Sequence, residues 1–325
     1  MKKLIKKISI LALIALPFVS CSSDDDSTTT PPVKNTIATI ASNNADLSIL
    51  VQALQKTDLV ATLDGSQEFT VFAPTNASFT AFLQANGFAN LDAVPTNVLK
   101  EILLNHVVAG ELTASALNTG YVKTLAKGSA SPTNTLSLFV NTANGVVLNG
   151  GTSNNGGTVV TADVQASNGV VHVINGVLAL PTIVNHAVAN PNFSILVQAL
   201  TREDQPDFAG ILSGTANSPF TVFAPTNEAF VNLLAELNLS GLADVPQEVL
   251  ENTLKYHVVT GANVLSTNLT AGNVTTFQGQ DITIGLTGGA KITDANNRIT
   301  NIIATDVQSS NGVIHAIDQV LLPAL

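Results

Sequence analysis

The chain has 325 residues, a formal net charge of −10 and only 11% charged residues, against about 25% in an average domain. Its 45% apolar content gives it a core to bury, which excludes an acidic disordered chain. With 13 basic against 23 acidic residues it lacks the cationic footprint of a nucleic-acid binder, and its single Cys excludes a disulfide framework or a Cys-based zinc site.

The chain opens on an address. Residues 1–20 read as a signal peptide: Lys2, Lys3, Lys6 and Lys7 precede an apolar run from Ile8 to Phe18. That run is shorter than the ~20 residues that span a bilayer core. Phe18-Val19-Ser20-Cys21 resembles a bacterial lipobox, with Phe where Leu is usual. The resemblance implies cleavage before Cys21 and lipid attachment there, hence a membrane anchor. Residues 21–33 form an acidic, Thr- and Pro-rich tether. Its Ser-Asp-Asp-Asp run resembles the export signal of surface lipoproteins in Bacteroidetes-type bacteria, which implies an outer-membrane anchor at the cell surface. An acidic spacer facing the periplasm is the alternative.

The remainder is one unit written twice. LSILVQAL at 47–54 returns as FSILVQAL at 193–200, and FTVFAPTN at 69–76 returns at 220–227. His106-Val107-Val108 returns as His257-Val258-Val259, and SNGVVHVINGVLALP at 167–181 as SNGVIHAIDQVLLP at 310–323. Units of this length are whole domains, 34–181 and 182–325, with no Gly/Ser-rich linker between them. The second unit has extra residues within Thr201–Pro219, and the first has extra residues in the Gly/Asn stretch Asn149–Gly157. Insertions favour loops, so both read as surface turns, the second of them flexible.

Within a unit, Leu47, Leu50, Val51 and Leu54 keep helical spacing. Phe69–Phe72 is a short strand that stops at Ala73-Pro74, where Thr75 or Asn76 caps the next helix. Pro95 opens another helix, in which Leu99, Leu103 and His106 follow at i, i+4 and i+7, as Leu250, Leu254 and His257 do in the second unit. Beyond it, Leu136–Val140, Val146–Leu148 and Thr158–Thr161 read as strands. Ser167-Asn168-Gly169 reads as a tight turn before a strand on which Val170, His172 and Ile174 point one way. Helices first and strands after argue for an α+β fold.

TVFAPTN, a Phe-bearing helix, His-Val-Val, and SNGV(V/I)H with a closing VL(L/A)LP, found in order and twice, resemble the fasciclin domain. The resemblance covers both units. It implies two tandem domains, each a compact β wedge of about seven strands packed with several helices, in a surface-anchored protein associated with adhesion. The family's middle motif usually reads Tyr-His. Tyr256-His257 keep it, whereas Asn105-His106 do not. In animal members this region is implicated in receptor binding, which makes His106, Tyr256 and His257 candidate binding residues.

Four of the five histidines pair across the repeats, His106 with His257 and His172 with His315. A ligand or acid–base role is one reading; core histidines with satisfied hydrogen bonds is the favoured one. His186 has no counterpart and reads as exposed. Asp163 and Asp306 are a repeat-matched acidic pair before the hairpin turn, read as hydrogen-bonding backbone there. Asp294 to Arg298 lacks the Gly and Glu of a calcium loop and reads as a turn. No nucleophile elbow, zinc helix or phosphate loop is present. The sequence therefore points to no enzyme, no metal and no cofactor. It points to a lipid-anchored surface protein that binds extracellular or matrix-type protein or polysaccharide ligands through Thr- and Asn-rich faces. An accessory glycan-binding lipoprotein for nutrient capture is the alternative, favoured if Tyr121 or Tyr256 lies exposed beside a groove.

Overall fold

The computed structural model describes residues 35–324. Cys21 and the segments expected to be a signal peptide and a tether lie outside them. The first unit begins with three helices, α1 (Ile37–Ser42), α2 (Ser48–Lys56) and α3 (Val60–Leu63), then strand β1 (Phe69–Pro74). Helices α4 (Asn76–Ala85) and α5 (Thr96–Leu104) follow, and then β2 (Val107–Ala109). The rest is β: β3 (Gly120–Gly128), β4 (Ser131–Asn141), β5 (Val147–Leu148), β6 (Gly157–Ala166) and β7 (Gly169–Ile174). The seven strands close into a barrel in chain order, with β7 returning parallel to β1.

The second unit repeats the order with α6 (Ile183–Ala189), α7 (Ser194–Leu200), α8 (Phe208–Ser213), β8 (Phe220–Pro225), α9 (Asn227–Glu236) and α10 (Gln247–Tyr256). Strands β9 (Val258–Thr260), β10 (Gly272–Thr275), β11 (Asp281–Gly285), β12 (Lys291–Thr293), β13 (Ile299–Ser309) and β14 (Gly312–Ile317) complete it. Here the seven strands form an open sheet, ordered β10-β11-β12-β13-β14-β8-β9. The mixed α+β content and seven strands per unit match the expectation.

The parallel pairs β1–β7 and β8–β14 are the spine of each unit. Every residue of all four strands is buried, which is why they read as unbroken apolar runs. Their side chains divide between two cores. Val71, Ala73, Val171 and Val173 face the helices, whereas Phe72 and Ile174 face the barrel interior. Fully burying a side chain the size of Phe72 stabilises by roughly 1.5–3 kcal/mol.

The repeated motifs are devices for joining helices to this spine. Thr75 caps α4, its Oγ1 accepting from the Ser78 N–H (3.2 Å). Asn76 instead serves α2, accepting from the Ile49 N–H (2.9 Å) and donating to the Ala45 carbonyl (2.9 Å). Thr226 and Asn227 repeat both roles, with Asn227 accepting from the Ile195 N–H (2.9 Å). Asn168 of the Ser-Asn-Gly turn accepts from the Ile37 N–H and donates to the Leu63 and Gly65 carbonyls, tying α1 and α3 to the start of β7. Asn311 does the same with Ile183, Leu212 and Gly214. Gly169 follows because β1 runs too close for a side chain: a Cβ there would stand 1.9 Å from the Phe69 carbonyl oxygen.

Two expectations need correction. Asn149–Gly157 is not a loose surface turn. Asn149 is 1% exposed, and Asn154 lies within a short 3-10 turn and is buried. Asn149 is held inside its own unit by Phe139, whose N–H it accepts (2.9 Å), whereas Asn154 Nδ2 donates both to the Asn149 carbonyl (2.9 Å) and across to the Asn185 carbonyl of the second unit (2.8 Å), and Asn185 Nδ2 donates back to Asn154 Oδ1 (2.9 Å). The helical spacing of Leu99, Leu103 and His106 holds for the leucines only; α5 ends at Leu104, and His106 lies just beyond it.

Candidate functional site

His106 and His257 occupy equivalent places. The Leu178 N–H donates to His106 Nε2 (2.9 Å), so Nδ1 carries the proton and donates to the Ile102 carbonyl (2.7 Å). The Leu321 N–H and the Thr253 carbonyl hold His257 at the same distances. Each ring therefore fastens the closing segment of its unit to the end of a helix. Burial pushes both imidazoles down to about 4, against a weaker pull from the backbone carbonyl. A neutral ring with both nitrogens committed has no lone pair or proton to offer a ligand.

Tyr256 is 0% exposed. Its hydroxyl donates to the Asp281 carbonyl (2.6 Å) and accepts from the Ala295 N–H (3.1 Å). Burial raises its pKa above the ordinary phenol value. Asn105 takes the same position in the first unit and works differently. It donates to the Leu178 and Ala179 carbonyls and accepts from the Thr124 hydroxyl. Tyr256→Phe is expected to cost about 1–2 kcal/mol in a denaturation experiment, because the Asp281 and Ala295 backbone groups lose a shared partner.

His172 stacks on Phe72 with ring centroids 5.5 Å apart, and His315 on Phe223 at 5.8 Å. His172 Nε2 donates to the Leu112 carbonyl (2.9 Å), and Nδ1 accepts from the Asp163 N–H (3.2 Å). His315 Nε2 donates to the Val264 carbonyl (2.8 Å), and burial lowers its pKa. Asp163 and Asp306 have positive φ (58° and 63°) at bulges in β6 and β13. Their carboxylates accept from the Ala114 and Ser266 N–H groups, which belong to a neighbouring loop rather than to the hairpin turn. In each unit the structure brings His172 or His315 beside its Asp, while His106 and His257 keep separate partners. Asp294 accepts from the Asn296 and Arg298 N–H groups, which makes that segment a turn. Among the described residues no group of three or more His, Cys, Asp or Glu is placed to hold a metal ion.

The missing linker already argued for limited freedom between the units, but sequence reasoning did not find the residues that join them. His186, expected to be exposed, is 0% exposed. Its ring meets Tyr121 of β3 edge-on at 5.5 Å, and Asn190 donates to the Tyr121 hydroxyl (3.3 Å). The β3–β4 hairpin reaches across, where the Ala130 N–H and the Ser129 hydroxyl both donate to the Ser310 carbonyl (2.9 and 3.0 Å). Ser137 Oγ accepts from the Gln308 N–H and from Lys123 Nζ (3.0 Å each). Lys123 also donates to the Asp306 carbonyl (2.8 Å). Beside these bonds lies an open groove of about 330 Å³, lined by Lys123, Thr133, Asn134 and Thr135 from one unit and by Leu265, Asp306 and Gln308 from the other. The Asp306 carboxylate and the Gln308 amide are already bonded within the protein, so the groups the groove presents to a polar ligand come from Lys123, Thr133, Asn134 and Thr135. The missing signal was positional: Tyr121, Lys123, Ser129 and Ser137 lie in the β3–β4 hairpin, where the two repeats share little sequence, so no repeated motif marks them.

Comparison with known proteins places this geometry. The model of the fasciclin domain matches residues 45–181 and again 191–323. The chain is 41% identical over 148 residues to protein sll1483 of Synechocystis sp., a match covering 45% of this chain and 74% of that protein. It is 30% identical over 265 residues to human periostin, covering 80% of this chain but 29% of periostin. It is 31% identical over 146 residues to the cell surface glycolipoprotein MPB83 of Mycobacterium bovis, covering 45% of this chain and 62% of that one. The chain thus spans less than a third of periostin and under two thirds of MPB83. A solved FAS1 domain pair from the insect cell adhesion molecule fasciclin I aligns with a TM-score of 0.53 at 21% identity, over 85% of this chain and 97% of that one. At that identity the likeness is one of fold.

Proposed function

Because the chain belongs to the fasciclin-domain family, with two copies of the domain, we propose that it is a lipid-anchored cell-surface adhesion protein whose paired domains bind an extracellular protein or polymer. The observation that carries the reading is the polar groove at the junction, to which both domains contribute side chains. A relative described as a cell surface glycolipoprotein supports the same setting. The low charge suits short-range hydrogen bonding better than long-range ionic steering. The glycan-capture alternative gains nothing from the tyrosines: Tyr256 is buried, and Tyr121 packs into the junction.

The anchor and the binding role are tested separately. Cys21→Ala is expected to move the protein from the membrane fraction to the soluble fraction; a variant still sedimenting with membranes contradicts the lipid anchor. For binding, the protein is displayed on beads and retained against host matrix proteins, bacterial surface polymers and a glycan array. Retention by a matrix protein or surface polymer at micromolar concentration is expected. Retention by no surface in the panel contradicts the adhesion reading.

A further inference from the structure

His186 is the one histidine of the chain without a counterpart, and it is buried between the domains rather than within one of them. Neither Nδ1 nor Nε2 has a hydrogen-bond partner in the protein. The other four histidines each have at least one such partner. A buried ring of this kind is tolerated when neutral and costly when charged. We propose that the domain junction is an acid-sensitive hinge, in which protonation of His186 separates the two domains while each keeps its own fold.

The surroundings of the ring give it little compensation for a positive charge. From β3 it faces the edge of Tyr121 and the Lys123 ammonium, which repels it. From β13 the Gln308 backbone lies beside it and favours the charged form, without reaching hydrogen-bonding geometry. The Asp306 carboxylate on the same strand is already held by Ser266. Helix α6 has no acid in its first turn. Helices α7 and α8 and the turn at Thr152–Asn154 contain no titratable side chain. On β14, His315 faces away, against Phe223. Burial is the largest cause and pushes the His186 imidazole down to about 3. Released to water, the ring returns towards its ordinary value near 6.5.

The sign follows from proton linkage. Between pH 6.5 and 3 the separated form binds one proton more than the docked form, so docking is strongest above pH 6.5 and weakens as the pH falls. The docking equilibrium is expected to be about a hundredfold weaker at pH 4.5 than at pH 8. His106, His257 and His315 are also held neutral by burial, but they act on the core of one domain or the other. The test must therefore separate undocking from unfolding.

Small-angle scattering of the chain from pH 8 to pH 4.5, with circular dichroism on the same samples, makes that separation. The expected result is a rise in the maximum dimension with unchanged secondary structure. In His186→Phe or His186→Gln, whichever retains wild-type circular dichroism at pH 8, that rise is abolished. A scattering profile that stays constant until the secondary structure is lost overturns the hinge. So does an equal expansion in the His186 variant.

Discussion

Replacing His257 by alanine is expected to lower the stability of the second domain by about 3–5 kcal/mol. The ring is 3% exposed and joins the Thr253 carbonyl to the Leu321 N–H. Its removal leaves two buried backbone groups without partners, at about 1–3 kcal/mol each, and opens a cavity whose cost adds to that. Urea denaturation followed by circular dichroism measures the loss. His106→Ala is expected to do the same to the first domain through Ile102 and Leu178. A binding role for these rings predicts the opposite pattern, with wild-type stability and lost ligand retention. The pH dependence gives an independent check. Both rings sit at about 4 in the folded protein, below their ordinary 6.5. Between these values the unfolded chain binds more protons, so stability is complete above pH 6.5 and falls as the pH drops towards 4. Each ring contributes a loss on the order of 3 kcal/mol across that window.

Gly128→Val is expected to undock the domains while leaving each one folded. Gly128 sits at the tip of the β3–β4 hairpin, where a Cβ would stand 2.4 Å from the Ser310 Cα and 2.7 Å from its carbonyl oxygen. Both obstacles are backbone, so no side chain can turn aside to make room. The hairpin must lift, and the Ala130 and Ser129 bonds to the Ser310 carbonyl go with it. Valine suits an extended strand, so the β3–β4 pairing itself has no reason to fail. Calorimetry is expected to replace one cooperative transition by two, because the domains no longer stabilise each other. A single unchanged transition means that the junction contributes nothing.

The structure also shows which parts of the chain announce themselves. The spine was legible because its signals are local and duplicated: FTVFAP and GVVHVI are apolar on both faces, and the Thr-Asn and Ser-Asn-Gly punctuation beside them recurs at matching offsets. The buried state of His106, His172, His257 and His315 followed from the apolar company they keep. The true partners of Asp163 and Asp306 did not, since a left-handed bulge turns each carboxylate to a loop tens of residues away. His186 and Asn154 misled for a different reason. Both look polar and solvent-facing within their own repeat, yet each packs against the other domain. A property created by docking leaves no period in the sequence of either partner.

The central claim is that two copies of one fold act as a single docked unit whose shared groove carries binding. It is tested most directly by comparing retention of wild type and Gly128→Val on the surface that best retains the wild type. The account predicts that the variant, with both domains folded but apart, loses at least tenfold in retention, about 1.4 kcal/mol. Equal retention of the two proteins contradicts it and assigns binding to the domains singly.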